Sequence, residues 1–162
     1  MNQQQIETID SFLRQRNDID ALKQLHHWLK DNPHDGDVHY YLASTYDSKG
    51  EEKKAYPHYE KAIELGLDEE KVKGAFLGLG STYRTLGMYK ESKATFELGL
   101  ARFPENNALK VFYSLTLYNV REHEKAMEVL LTCLIETTHD QNILQYRNAL
   151  AFYSKQLNRI WV

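Results

Sequence analysis

Seven histidines, one cysteine and several acidic runs are the side chains of this sequence with types suited to chemistry. His26-His27 and His34…His39 are its histidine clusters. Adjacent histidines point to different sides of a helix, so neither cluster converges on one metal ion. Gly78-Leu79-Gly80 begins like a phosphate-cradling G-x-G-x-x-G loop, but Tyr83 stands where the third glycine belongs and no strand precedes it. Asp68-Glu69-Glu70 suits a helix start, where carboxylates meet the positive end of the dipole, better than acid–base work, which needs a cleft and an apolar pocket. His123-Glu124 likewise opens a helix. A lone Cys133 excludes a disulfide framework and any multi-cysteine zinc site. No nucleophile, base and orienting group assemble, so the sequence predicts no enzymatic activity, no cofactor and no metal.

The elements that carry these residues are helices. Gly and Pro together number only 11 of 162 residues (8 and 3), about half the usual usage, which predicts helices joined by short turns. Twenty Lys+Arg against 23 Asp+Glu leave a net charge of −3, so no overall pull toward nucleic acid or anionic membrane is encoded. No apolar run approaches the ~20 residues of a membrane span; Val129–Ile135 is interrupted by Thr132. Met1-Asn2-Gln3-Gln4-Gln5 lacks the charged and apolar regions of a signal peptide. A cytoplasmic protein is the expectation.

His39–Gly66 and Phe76–Pro104 repeat one pattern. Its columns extend both ways: Ile9, Ala43, Gly80, Ser114, Asn148; Phe12, Tyr46, Tyr83, Leu117, Ala151; Ala21, Ala55, Ser92, Ala126; Leu25, Tyr59, Phe96, Leu130; and Leu29, Ile63, Leu100, Leu134. The spacing is 34 residues, once 37. A period of this length, split by Gly50 and Gly87 into two apolar segments, gives helix–turn–helix units that stack because none can cover its own apolar face. Cys133 shares a column with Trp28, Ala62 and Gly99, which makes it a small buried hydrophobe rather than a reactive thiol. The longer spacing at Leu67–Lys73 predicts an extra helical turn, N-capped by Asp68. Pro57 falls inside a second-segment helix, where a late start or a mild kink is expected rather than a break.

These columns resemble the tetratricopeptide repeat (TPR) family. Its slots are met by Leu42-Ala43, Tyr46, Gly50, Ala55, Tyr59 and Ala62, and again by Leu79-Gly80, Tyr83, Gly87, Ser92, Phe96, Gly99 and Pro104; Pro33 closes the first copy. GLGSTYRTLGMYKES and LGLARFP look like the bacterial subgroup called tetratrico peptide repeat group 5. His39 and Lys110 replace frequent tryptophans, and Arg121 replaces the turn glycine, so that turn should be less tight. The resemblance implies an all-α, right-handed superhelix. It would form a single domain over 1–162, with repeats at about 2–35, 36–70, 71–106 and 107–140 and one capping helix over 141–162, about nine helices in all.

In that family the first helix of each pair lines a concave groove. By the resemblance, the groove residues are Tyr40, Ser44 and Asp47; Leu77, Ser81 and Arg84; and Val111, Leu115, Tyr118 and Asn119. Their mixture of apolar anchors, one acid, one base and several hydroxyl or amide groups suits a peptide held by apolar pockets and oriented by a few hydrogen bonds. It does not reproduce the carboxylate clamp of the chaperone-binding members. Ile143, Leu144, Leu150, Ala151 and Leu157 can cover the last pair, while Phe152, Tyr153, Ile160 and Trp161 are more aromatic than a solvated face requires. The expected function is therefore a scaffold binding a peptide or partner protein in its groove. The alternative is a repeat protein that homodimerises through its C-terminal aromatics. Single-stranded RNA binding would require a basic stripe, and the groove carries one base against one acid.

Overall fold

The computed structural model describes residues 1–161, and all their regular structure is helical. Ten helices follow one another: α1 Gln3–Arg14, α2 Asp18–Asp31, α3 Gly36–Ser48, α4 Glu52–Leu65, α5 Glu69–Thr85, α6 Tyr89–Arg102, α7 Asn107–Asn119, α8 His123–Thr137, α9 Gln141–Leu144 and α10 Arg147–Tyr153. The chain divides into two compact units, Met1–Met88 and Tyr89–Val162.

The first helix of each pair starts at an Asn or Asp whose side chain takes up a free backbone N–H. Asn2 accepts from Gln5 N at 2.9 Å, Asp35 from Asp37 N at 3.0 Å, Asp68 from Lys71 N at 2.9 Å and Asn106 from Leu109 N at 3.0 Å. The expected cap at Asp68 is thus one of four. The extra turn is found as well: α5 has 17 residues against 13 in α3 and in α7.

The turns inside the pairs share one geometry. Arg16, Gly50, Gly87 and Arg121 all have positive φ, at 55°, 71°, 76° and 65°. In each turn the next amide donates back five residues, from Asn17 to Phe12, Glu51 to Tyr46, Met88 to Tyr83 and Glu122 to Leu117, always at 2.9 Å. The looser turn expected at Arg121 is therefore not found. Its backbone enters the left-handed region that glycine occupies freely, and the hydrogen bond that closes the turn is undiminished.

Pro57 leaves α4 unbroken, and the helix starts at Glu52 rather than late. Only the amide that would have bonded to Lys53 is missing, at an exposed position. The single capping helix expected over 141–162 is instead two short ones. At the break, Tyr146 N donates to Ile143 O at 3.0 Å, a tightened turn, and beyond Tyr153 only isolated turns continue. Ile143, Leu144 and Leu150 are half-buried, whereas Ala151 and Leu157 are exposed, so the cover these five were expected to give is partial.

In the first unit α2 packs on α3, α3 on α4 and α4 on α5. Ile9, Ala21, Leu25, Leu42, Ala43, Ala55 and Ala75 lose all solvent exposure there, so the small columns let helices close while the large ones fill the gap. In the second unit α7 packs on α6 and α8, and α8 on α10. Phe96, Leu109 and Leu117 are fully buried at its centre, each contributing about 1.5–3 kcal/mol relative to exposure. Cys133 is buried and unpaired, in keeping with its column.

Candidate functional site

The expected groove residues fall into distinct environments. In the first unit Tyr40, Ser44 and Asp47 lie on α3, and Leu77, Ser81 and Arg84 on α5, two helices in direct contact. Tyr40 is a packing residue. Its ring lies 5.6 Å from that of Tyr41 and 6.4 Å from that of Tyr59, and a Cβ on Gly74 would approach its hydroxyl to 2.6 Å. Burial raises its phenol above the ordinary range. Asp47 is anchored within the fold. It accepts from Thr82 Oγ1 at 3.2 Å and from the Tyr59 hydroxyl at 3.5 Å, and burial raises its carboxyl despite both bonds.

Other members of the set keep binding capacity. Ser44 lines a cleft of about 450 Å³ with Leu13, Arg16, Asp18 and Ser48. Leu77 and Ser81 are half-buried. Arg84 is half-buried too, and its Nε is enclosed without a hydrogen-bond acceptor. Charge and an unmet donor on the α3–α5 face suit a carboxylate or carbonyl group.

In the second unit Val111, Leu115, Tyr118 and Asn119 lie on α7. The buried side of this helix carries Leu109, Ser114, Thr116 and Leu117. Leu115 and Tyr118 point the other way, 40% and 65% exposed, three residues apart on one face. The Tyr118 ring packs against that of His123, 4.8 Å away. Val111 is half-buried, and Asn119 Oδ1 is enclosed without a donor.

The C-terminal aromatics form a cluster in the same unit. Phe152 lies 5.5 Å from both Tyr153 and Trp161, and the Arg159 guanidinium sits 3.9 Å above the Trp161 ring. Phe152, Tyr153 and Trp161 are about half exposed, and Ile160 is 85% exposed. Two clefts escaped the sequence reading. One, of about 650 Å³, lies between Arg121, Met127 and Leu157; the other, of about 320 Å³ and mainly apolar, is framed by Leu100, Pro104, Tyr113 and Val129. Both join side chains from separate stretches of the chain, which a repeat alignment does not bring together. Among the described residues no His, Cys, Asp or Glu group is arranged to hold a metal, and no helix is long and apolar enough to cross a membrane.

The family model described as Tetratrico peptide repeat matches residues 36–157, well over half of the chain. The chain belongs to this TPR family. Among curated proteins no match is found. Among solved structures, one titled "MamA RS-1 ArsTM double mutant" superposes with a TM-score of 0.71 at 15% identity, over 94% of this chain and 93% of that one. At that identity the likeness concerns the fold, which is the all-helical TPR α-solenoid. TPR chains are in general non-catalytic interaction scaffolds, and the repeats mark this one as a protein-interaction module.

Proposed function

We propose that this TPR chain is a single-domain, non-enzymatic scaffold that binds an extended or helical peptide of a partner protein along the first helices of its repeats. The observation that carries the reading is the pair Leu115 and Tyr118, exposed on α7 beside the enclosed, unmet amide oxygen of Asn119. Apolar anchors next to an unsatisfied polar group are what a peptide with one or two orienting main-chain groups would complement. In the first unit, Arg84 on α5 has an unmet Nε of its own. A reducing, cytoplasmic setting suits the buried free thiol of Cys133.

The test is crosslinking in cells with mass spectrometry, followed by calorimetry with the purified partner. Leu115→Ala with Tyr118→Ala should lower affinity at least tenfold, with the thermal melt unchanged. Wild-type affinity in that double variant overturns the reading. Tyr40→Ala is a poorer probe, because its ring belongs to the packing.

A second reading, homodimerisation through Phe152, Tyr153, Ile160 and Trp161, is favoured by the exposed cluster these residues form. Sedimentation velocity across a concentration series tests it. A dimer that Phe152→Ala with Trp161→Ala dissociates supports it, and a wild-type monomer throughout the series removes it.

A further inference from the structure

His26, His39 and His58 gather where α2, α3 and α4 meet. His39 is buried in the first turn of α3. Its Nε2 lies 3.2 Å from the carbonyl oxygen of Pro33 in the α2–α3 connection, and its Nδ1 lies 2.9 Å from Nδ1 of His58 on α4. A carbonyl oxygen only accepts, so His39 Nε2 carries a hydrogen, and in the neutral ring its Nδ1 does not. His39 Nδ1 is then the acceptor and His58 Nδ1–H the donor. One backbone carbonyl thus fixes both tautomers and leaves His58 Nε2 as the nitrogen of the pair open to a proton.

We propose that His39 and His58 form a proton-operated latch between α3 and α4, which takes up one proton with its hydrogen bond intact and parts when a second arrives. One added proton leaves one ring charged and the other neutral. The imidazolium then donates from its Nδ1 to the neutral ring's Nδ1, now as a charge-assisted bond. A second proton puts a hydrogen on both Nδ1 atoms. Two N–H groups then face each other across 2.9 Å, and one ring must leave.

Aromatic, basic and acidic groups surround the pair, among them Asp35, whose carboxylate caps the first turn of α3 that carries His39. From α3, Tyr46 stacks on His58, with ring centroids 6.0 Å apart. From α2, His26 Nε2 lies 2.7 Å from the Tyr46 hydroxyl. On α4 itself, Lys54 Nζ sits 5.4 Å from the centre of the Tyr46 ring. Helix α5 meets α4 through Tyr83, which donates to Glu60 and packs on Tyr56. Burial first, then the charges of His39 and His26, hold His58 down to about 4. A histidine depressed in the fold binds fewer protons than in the unfolded chain. Its contribution to stability is complete above about pH 6.5 and is lost as the pH falls through about 4.

The experiment is a pH titration of the ring nitrogens in the full-length chain by NMR. At pH 8, His39 should show the Nε2–H tautomer and His58 the Nδ1–H tautomer. On acidification the pair should titrate in two separated steps. Backbone signals of α3 and α4 should hold through the first step and collapse at the second. His58→Asn can donate to His39 but cannot titrate, so it should lose less melting temperature than wild type between pH 6 and pH 4. The latch is overturned if the pair titrates in a single step, if the α3 and α4 signals persist through both steps, or if His58→Asn shows the wild-type pH dependence.

Discussion

The tip of the Tyr59 ring fills the space beside Gly78, where an added Cβ would lie 2.5 Å from its hydroxyl oxygen. That ring, 3% exposed on α4, occupies the volume a side chain at position 78 of α5 would need. Gly78→Ala forces the buried ring off its rotamer or the helices apart, and should cost about 1–3 kcal/mol. Urea denaturation measures it. Gly36→Ala should cost at least as much, because its Cβ would lie 2.5 Å from the backbone oxygen of Gly66, which cannot swing aside.

Arg16 and Arg121 hold a left-handed backbone that disfavours any residue with a Cβ. Arg16→Gly and Arg121→Gly should each stabilise the fold by about 0.5–1 kcal/mol, the relief of strain exceeding the added freedom of the unfolded chain. Arg121→Ala should bring no gain. A shifted urea midpoint at constant slope is the expected signature.

Asp47 is favoured protonated by its partial burial. A carboxyl raised in the fold contributes fully below its unfolded pKa, and that contribution is lost as the pH rises through the folded value. Asp47→Asn removes the charge while its amide can still serve Thr82 and Tyr59. It should therefore raise the melting temperature at pH 7, by the equivalent of roughly 0.5 kcal/mol or less given the partial exposure, and make no difference at pH 3. Thermal melts at the two pH values decide.

Ser92 and Thr116 share a buried hydroxyl–hydroxyl bond of 2.8 Å between α6 and α7. Ser92→Ala should cost about 1–2 kcal/mol by stranding its partner. Adding Thr116→Val should cost less than the sum of the single changes. A double-mutant cycle by chemical denaturation reads the coupling.

What the sequence made legible follows its columns. The register through Ala21, Ala55, Ser92 and Ala126 is buried throughout, and Asp68 caps the helix it was expected to cap. Column logic reports which residue type occupies a slot. It does not report how far a backbone will strain to keep a turn, so Arg121 was misjudged. It also stops where repetition stops: Asn148 and Ala151 extend two columns, yet both are exposed, in a segment broken at Gln145–Tyr146. For the groove, α7 is exposed at Leu115 and Tyr118, whereas Tyr40 and Asp47 are held by tyrosines from neighbouring columns. The His39–His58 bond was invisible for a similar reason. It joins residues 19 apart, a spacing unrelated to the repeat.

The additional residues around Leu67–Lys73 are absorbed before α5 reaches its turn. The helix gains four residues over α3, its preceding connection has three residues rather than four, and the Gly87 turn closes as the Gly50 turn does. Insertions at a helix's entry are thereby decoupled from the hinge at its exit. The chain can vary in length at one end of a repeat while the splice to the next helix keeps a fixed standard.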